Sequence, residues 1–519
     1  MIRNTIFITI MMLFAGIVLS QTAKRQPGEY LKHLLPQTDH NYRQTCGYVE
    51  DIPVESYQWA SPQAYEDFND IKFGVRIHWG LYSIIQQKRE SWPFLKMTNE
   101  QKQSYLDMAK NWNPVGFDAD EWMRFFEESG IKMFAFTTKH HEGFSMFDTK
   151  TCVTKRVNWM ATGGPAIEDC NLAFSIMETP FKRDVVKELC DAAHKKNIKI
   201  DLYYSHSDWY DADFRPYGWS PMQVPSSDKL DVKWKEMIPE GNVMKQFGRN
   251  YTDSFPDPTK EETDRMVARH KAQLTELLTN YGKIDMVCLD IWWGPSLWPR
   301  LRETMLELRK IQPNVMFRAR GIGNYGDYYT PEGFVPGNKE NSQVPWFVIH
   351  TLGTSFSYEA DSAKHKGAQW VVRNVIDCAA KGGNFMVGIG PDGNGRFHPA
   401  AIQQLKQTGK WLKRYGEGIY ATRAREADCW KENDSIKFTR SKDNKIIYVH
   451  CYQWPGNKLI LKTLKPDKDA KIYFLGNNKA LKWKYNKQKE LVIDTPESLI
   501  MDIPAEEKLA YSFKIVMNR

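Results

Sequence analysis

The sequence predicts a (β/α)8-like barrel followed by a β-sandwich, on three observations. Between about residues 70 and 420, short β-branched and aromatic runs alternate with runs of helical period. The strand-like runs are apolar on both faces, as strands of a helix-covered parallel sheet must be. After about residue 421 helical periodicity stops, and short strand patterns follow one another with turn residues between them. A chain of 519 residues exceeds one compact core, so the two textures read as domains over 21–420 and 421–519.

Residues 1–20 stand apart from both. Arg3 precedes an apolar stretch from Ile6 to Leu19, with small or apolar residues before Gln21. That is the form of a secretory signal, with cleavage expected near Ser20–Gln21 and an uncleaved anchor as the alternative. Periplasmic or secreted location follows. No cysteine follows the apolar stretch to accept a lipid, and no later stretch is long and apolar enough to span a membrane.

The barrel strands are expected at IKFGVRIHW (71–79), KMFAFTT (132–138), IKIDLYYS (198–205), IDMVCLD (284–290), NVMFRAR (314–320) and NFMVGIG (384–390). Helical runs lie between them. FDADEWMRFFEESG opens on Asp118-x-x-Glu121, a capping-box spacing, and closes at Gly130, a C′ position. RDVVKELCDAAHKKN places Val186, Leu189 and Ala193 on one face. The run ending at Gly282 does the same with Val267, Leu274, Leu278 and Tyr281, and AAIQQLKQTGKWLKRYG closes the region. Residues 206–258, rich in Pro, Asp and Trp, read as a long loop on the barrel. Strands of the sandwich are expected at SIKFTR, KIIYVHCY, KLILKTL, KIYFLG, LVIDTP and KLAYSFKIVM.

A doubly wound sheet is the rival of a barrel, and it needs a phosphate-binding first turn. GIGNYG (321–326) and GIGPDG (388–393) match G-x-G-x-x-G literally, but neither leads into a helix whose N-terminus would hold a pyrophosphate. The net charge of +8 is spread thinly, with no basic run of the kind that binds nucleic acid. Eight cysteines include no C-x-x-C pair, which disfavours a structural zinc. Cys152 and Cys170 flank a loop-like insertion and are the expected disulfide; Cys190, Cys288 and Cys378 read as buried thiols.

In such a barrel, chemistry gathers at the C-terminal ends of the strands. Those ends carry His78-Trp79, then Lys139-His140-His141-Glu142, then Tyr204-Ser205-His206 with Asp208-Trp209, then Asp290 with Trp292 and Trp293, then Arg318 and Arg320 with Glu332 beyond. Neutral donors, aromatic rings and a few carboxylates suit sugar hydroxyls and sugar C–H faces. A metalloprotease H-E-x-x-H and a seryl G-x-S-x-G are both absent from the sequence. These residue types favour glycoside hydrolysis by two carboxylates, with no metal and no organic cofactor.

Several blocks resemble the α-L-fucosidases of glycoside hydrolase family 29. They are KFGVRIHWGLYSI (72–84), FDADEWMRFFEESGIKMFAFTTKHHEGFSMFDTK (117–150), TPFKRDVVKELCDAAHKKNIKIDLYYSHSDW (179–209), IDMVCLDIWW (284–293) and AAKGGNFMVGIGPDGNG (379–395). The resemblance implies retaining hydrolysis of terminal α-L-fucosides through a covalent glycosyl-aspartate, acting on fucosylated oligosaccharides or glycoconjugates. It makes Asp290 the nucleophile. It also makes His78, His140 and His141 partners of sugar hydroxyls, with Trp79 and Tyr204 as pocket walls and Arg320 and Trp346 as further substrate-binding residues. Glu90 and Trp92 resemble a family Glu-Trp pair, here split by Ser91. Thr330-Pro331-Glu332 resembles a segment carrying the acid/base, so Glu332 takes that role with Glu359 in reserve. Two departures stand out. Pro345-Trp346-Phe347 has no carboxylate where many members have P-W-E, and Arg76 replaces an aromatic or apolar residue. Alternatives are the same mechanism on an α-L-galactoside, and a carbohydrate-binding homologue without catalysis.

Overall fold

The computed structural model describes residues 45, 47–215, 255–336, 344–426 and 429–517. The signal-like segment, Cys46 and most of the expected 206–258 loop lie outside the described residues. The parts of that loop that are described, 206–215 and 255–258, hold neither helix nor strand.

Helix α1 (Pro62–Ile71) leads into β1 (Phe73–Ile77). Then come α2 (Asn99–Asp107), α3 (Ala119–Glu128), β2 (Met133–Lys139), an inserted hairpin of β3 (Val153–Asn158) and β4 (Ala166–Leu172), α4 (Val185–Lys196) and β5 (Lys199–Ser205). The second half runs α5 (Lys260–Thr279), β6 (Met286–Asp290), α6 (Trp298–Ile311), β7 (Met316–Phe317), β8 (Phe347–Thr351), α7 (Ala368–Ala380), β9 (Asn384–Ile389) and α8 (Pro399–Tyr415). Local signals set the helix ends. Asp118 caps α3 by accepting from the Glu121 N–H, Gly130 takes φ 75 just beyond it, and reciprocal capping boxes form at Thr98/Gln101 and Thr259/Glu262.

Seven parallel strands form one sheet in the order β7-β6-β5-β2-β1-β9-β8. The gap between β7 and β8 is closed by residues 328–332. Arg318 bridges Tyr328, Tyr329 bridges Trp346 and Glu332 bridges Ile349, all in parallel. This strip is the sixth barrel position, without a regular strand of its own and, among the described residues, with no α-helix between β7 and β8. The sequence expectation differs here in two ways. NVMFRAR supplies a strand of only two residues, and Phe347–Thr351 is a barrel strand where only a short motif was noted.

Alternation along the strands fills the barrel in layers. The floor is Met133, Met286, Met316, Phe347 and Met386, plugged from below by Phe68 of α1. Above it stand Arg76, Asp201, Cys288 and Arg318, all buried. The mouth carries His78, Tyr203, Asp290 and Arg320.

The C-terminal module has β10 (Lys431–Asn433), β11 (Ile436–Arg440), β12 (Ile446–Cys451), β13 (Lys458–Leu461), β14 (Lys471–Phe474), β15 (Trp483–Tyr485), β16 (Leu491–Asp494) and β17 (Tyr511–Val516). They make two antiparallel sheets, β10-β11-β12-β17-β14 and β13-β16-β15. Buried polar bonds tie the module to the barrel: the Trp411 indole donates to Ala510 O at 2.8 Å, and the Thr439 hydroxyl to Gly418 O at 2.6 Å.

Cys152 and Cys170 are both free. Cys152 directly precedes β3 and Cys170 lies within β4, and the ladder does not set them opposite each other, since Val153 pairs with Leu172 and Lys155 with Asp169. The Cys170 thiol instead donates to Val153 O at 3.2 Å. No helix among the described residues is long and apolar enough to cross a membrane.

Candidate active site

Asp290 ends β6, and its carboxylate is only 14% exposed at the barrel mouth. Oδ1 accepts from Arg320 Nη1 at 2.8 Å, and Oδ2 accepts from the Tyr203 hydroxyl at 2.7 Å. Arg318 stands 3.7 Å from Oδ1, and His141 Nε2 is 3.8 Å from Oδ2. Burial by itself would raise the Asp290 carboxyl, but Arg320, Arg318 and Arg76 together hold it well below the usual carboxylate range. The residue directly after it, Ile291, adopts φ 64. A β-branched side chain in that region is strained, and such strain collects at functional sites.

Glu332 lies at the end of the strip that fills the sixth position. Arg320 Nη2 donates to its Oε2, so one guanidinium bridges the two carboxylates. Retaining glycosidases hold their carboxyl groups about 5–5.5 Å apart, a spacing that such a bridge suits. Burial opposes ionisation of Glu332, and Arg320 overcomes it and lowers the carboxyl below the usual glutamate range.

The adjacent histidines that directly follow β2 diverge. The His141 Nδ1 pairs with Ser207 Oγ at 2.9 Å, while its Nε2 is buried and has no hydrogen-bond partner within the protein. An orphaned nitrogen beside the carboxylate is a place for a ligand hydroxyl. The His140 Nδ1 pairs with Ser91 Oγ, and burial pushes that imidazole down to about 3. Both rings are therefore neutral near pH 7. The Trp92 ring stands over His141 at 4.5 Å. Glu90 is buried beside them, in a stretch where Gln86, Arg89 and Glu90 all have positive φ. Its Oε1 accepts from Ser355 Oγ and from Ser357 N–H, each at 2.9 Å, and burial pushes its carboxyl up to about 7.

Five expected site residues are placed elsewhere or otherwise engaged. Trp79 points outward into a nest of Trp112, Phe117 and Trp122 and donates to Asp392 O at 2.9 Å. Tyr204 also points outward, donating to Gln273 Oε1 at 2.8 Å on α5. Strand alternation puts its neighbour Tyr203 at the carboxylate. Trp346 precedes β8 and so lies at the opposite end of the barrel, packed on Gly383, where a Cβ would come within 2.3 Å of the indole. His78 is at the mouth, but both its ring nitrogens are bonded within the protein, Nε2 to Arg76 and Nδ1 to Thr137, at 2.8 Å each. Glu359 is tied to Thr354 and, at 3.6 Å, to Lys88, on a different loop from the bridged pair.

Residues 50–417 match the model of the alpha-L-fucosidase family, and residues 431–516 match that family's C-terminal domain. The chain belongs to the alpha-L-fucosidase family of glycoside hydrolases. A plasma alpha-L-fucosidase of Rattus norvegicus is 24% identical over 461 residues, covering 85% of this chain and 89% of the relative. A tissue alpha-L-fucosidase of Mus musculus is 25% identical, covering 86% and 91%. Among solved structures, alpha-L-fucosidase isoenzyme 1 from Paenibacillus thiaminolyticus superposes with a TM-score of 0.69 at 23% identity, covering 88% of this chain and 99% of that one. An alpha-L-fucosidase from Bacteroides thetaiotaomicron, captured as a trapped covalent intermediate, gives 0.66 at 22%, covering 88% and 96%.

For this family member, the departure at Phe347 has a simple place. The side chain lies in the barrel floor, 5.5 Å from the Phe68 ring, so a carboxylate there would be at the wrong end to meet Asp290. Tyr203 is the residue that sequence reasoning missed. Asp201, Tyr203 and Ser205 share one phase of β5, and Ser205 pairs with Asp290 in the ladder, so period-two alternation was the signal for it.

Proposed function

We propose that this protein is an exported, retaining exo-α-L-fucosidase in which Asp290 is the nucleophile and Glu332 the acid/base. The observation that carries the reading is the single guanidinium of Arg320 shared by both carboxylates at the C-terminal mouth of the barrel. The trapped covalent intermediate of the Bacteroides thetaiotaomicron relative supports a two-step course.

In the first step, at a pH between the titrations of the two carboxyls, Asp290 Oδ attacks C1 of the sugar as the C1–O bond to the leaving group breaks. The proton that Glu332 still carries there goes to the departing oxygen, leaving a glycosyl ester on Asp290. In the second step Glu332, now ionised, takes a proton from water. The water oxygen bonds to C1, and Asp290 leaves as a carboxylate. Tyr203, Arg318 and Arg320 hold the carboxylate ionised for attack and accept it again on release. His141 Nε2, His140 and Trp92 face the place where a sugar ring must lie, with Glu90 on the rim. The reading asks for no metal or organic cofactor. The N-terminal segment would deliver the chain to the periplasm or beyond, with cleavage near Ser20–Gln21.

Asp290→Asn tests it. The variant should keep its melting temperature and lose about a thousand-fold or more of turnover on an aryl α-L-fucoside. Near-full activity would remove Asp290 from the role. Comparison with the aryl α-L-galactoside decides the sugar.

A further inference from the structure

Arg76 is one of the two departures that the resemblance brings out, and its contacts assign every proton around His78. Arg76 Nε lies 2.8 Å from His78 Nε2. An arginine nitrogen only donates, so Nε2 accepts, and an imidazole nitrogen has a single lone pair to give. On the other side of the ring, Nδ1 lies 2.8 Å from Thr137 Oγ1, and that hydroxyl lies 3.0 Å from Ile77 O. A carbonyl only accepts. The threonine proton therefore goes to Ile77, and the hydroxyl oxygen receives the Nδ1 proton of His78. The chain runs Arg76 to His78 to Thr137 to Ile77 O with each donor and acceptor used.

Arg76 is itself fixed. Nη1 donates to Cys288 Sγ at 3.2 Å, and the guanidinium lies 4.7 Å from the centre of the Tyr203 ring. The residue is 2% exposed, so solvent cannot draw it away. His78 thus differs from its neighbours at the mouth: His141 keeps a nitrogen without a protein partner, and His78 keeps none.

We propose that Arg76 is a specificity-determining positioning residue: acting through His78, it withdraws that imidazole from hydroxyl recognition and leaves the sugar ring to His140, His141 and Trp92. This rests on the fucosidase reading above. It implies that the enzyme accepts fucosides lacking the hydroxyl that a free His78 would hold.

The test uses the full mature chain and 4-nitrophenyl α-L-fucoside beside its 3-deoxy and 4-deoxy counterparts. In Arg76→Met the Nε2 lone pair is released to the pocket. The kcat/KM preference for the intact fucoside over one of the deoxy sugars should then rise roughly five- to tenfold over wild type, the worth of one recovered hydrogen bond. A folded variant with unchanged ratios, or one that loses activity equally on all three substrates, overturns the proposal and leaves Arg76 a merely structural group. If Arg76→Met does not fold, a crystal of the wild-type protein with fucose decides. Arg76 should still occupy His78 Nε2, and a sugar oxygen within hydrogen-bond distance of that nitrogen overturns the proposal. A wild-type protein inactive on every α-L-fucoside is a different result: it removes the functional reading and the proposal with it.

Discussion

Replacing Arg320 by methionine removes a group that touches both carboxylates. Its Nη1 lies 2.8 Å from Asp290 Oδ1, and its Nη2 bonds Glu332 Oε2. At each carboxyl, burial favours the protonated form, and Arg320 is the foremost influence against it. An opposite charge this close moves a titration by about one to three pH units. Two features of the site place the effect at the low end. Asp290 keeps Arg318 at 3.7 Å as a second cation, and Glu332 is 37% exposed, where water screens the pair. The sign is the same for both groups, since each loses a cation that favoured its charged form. The acid limb of kcat/KM, where Asp290 must be ionised, moves to higher pH. The basic limb, where Glu332 must keep its proton, moves to higher pH as well. The whole bell should slide upward by about one pH unit. The assay is a kcat/KM profile on an aryl α-L-fucoside, with a thermal melt at each pH to exclude unfolding. Limbs that move in opposite directions, or a basic limb that stays in place, would refute Glu332 as the proton donor.

Glu332→Gln should slow release of poor leaving groups far more than that of a nitrophenolate, and azide should restore turnover by yielding a glycosyl azide; an equal loss on all leaving groups counts against the assignment. Glu142 is 1% exposed and burial pushes its carboxyl up to about 7, so its protonated form fits the fold better than its charged form. That contribution is complete below the unfolded glutamate range and lost as pH rises through 7. Glu142→Gln should therefore stabilise the protein at pH 8 by on the order of 3 kcal/mol and change little at pH 4, as read by denaturant unfolding at the two pH values. Gly409 of α8 packs so closely on α3 that a Cβ would stand 1.9 Å from Glu128 O. Gly409→Ala should cost about 1–3 kcal/mol in the same assay while leaving kcat/KM unchanged.

The barrel was legible because its strands are apolar on both faces and its helices carry their own caps, as at Asp118 and Thr259. The grouping of residues at the barrel mouth was legible where polar side chains and strand ends coincide, as at Asp290 and the His140-His141 pair. It failed where the phase of a strand decides. Tyr203 and Tyr204 are the same residue type side by side, and only the pairing of Ser205 with Asp290 says which one faces inward. Trp79 is outward by the same alternation that turns His78 inward. Trp346 misled for a different reason, because the neighbouring Phe347 begins a strand, so the motif lies at the end away from the chemistry. The strip 328–332 carries Thr330 and Pro331 and has neither apolar alternation nor a following helix, so nothing local marks it as part of a barrel. The Cys152–Cys170 pairing rested on both residues flanking one insertion, and the hairpin register, with Val153 against Leu172, does not bring them face to face.

The strip at the sixth barrel position also sets how this enzyme can change. Asp290 is carried on a rung of a continuous ladder, with β5 alongside. Glu332 is carried by backbone that touches its neighbours through isolated bridges only. On the roles proposed above, drift in that stretch would re-aim the group serving the departing alcohol while the atom that bonds to C1 stays where it is. Descendants of this scaffold are thus freer to trade aglycones than to trade the chemistry of bond formation.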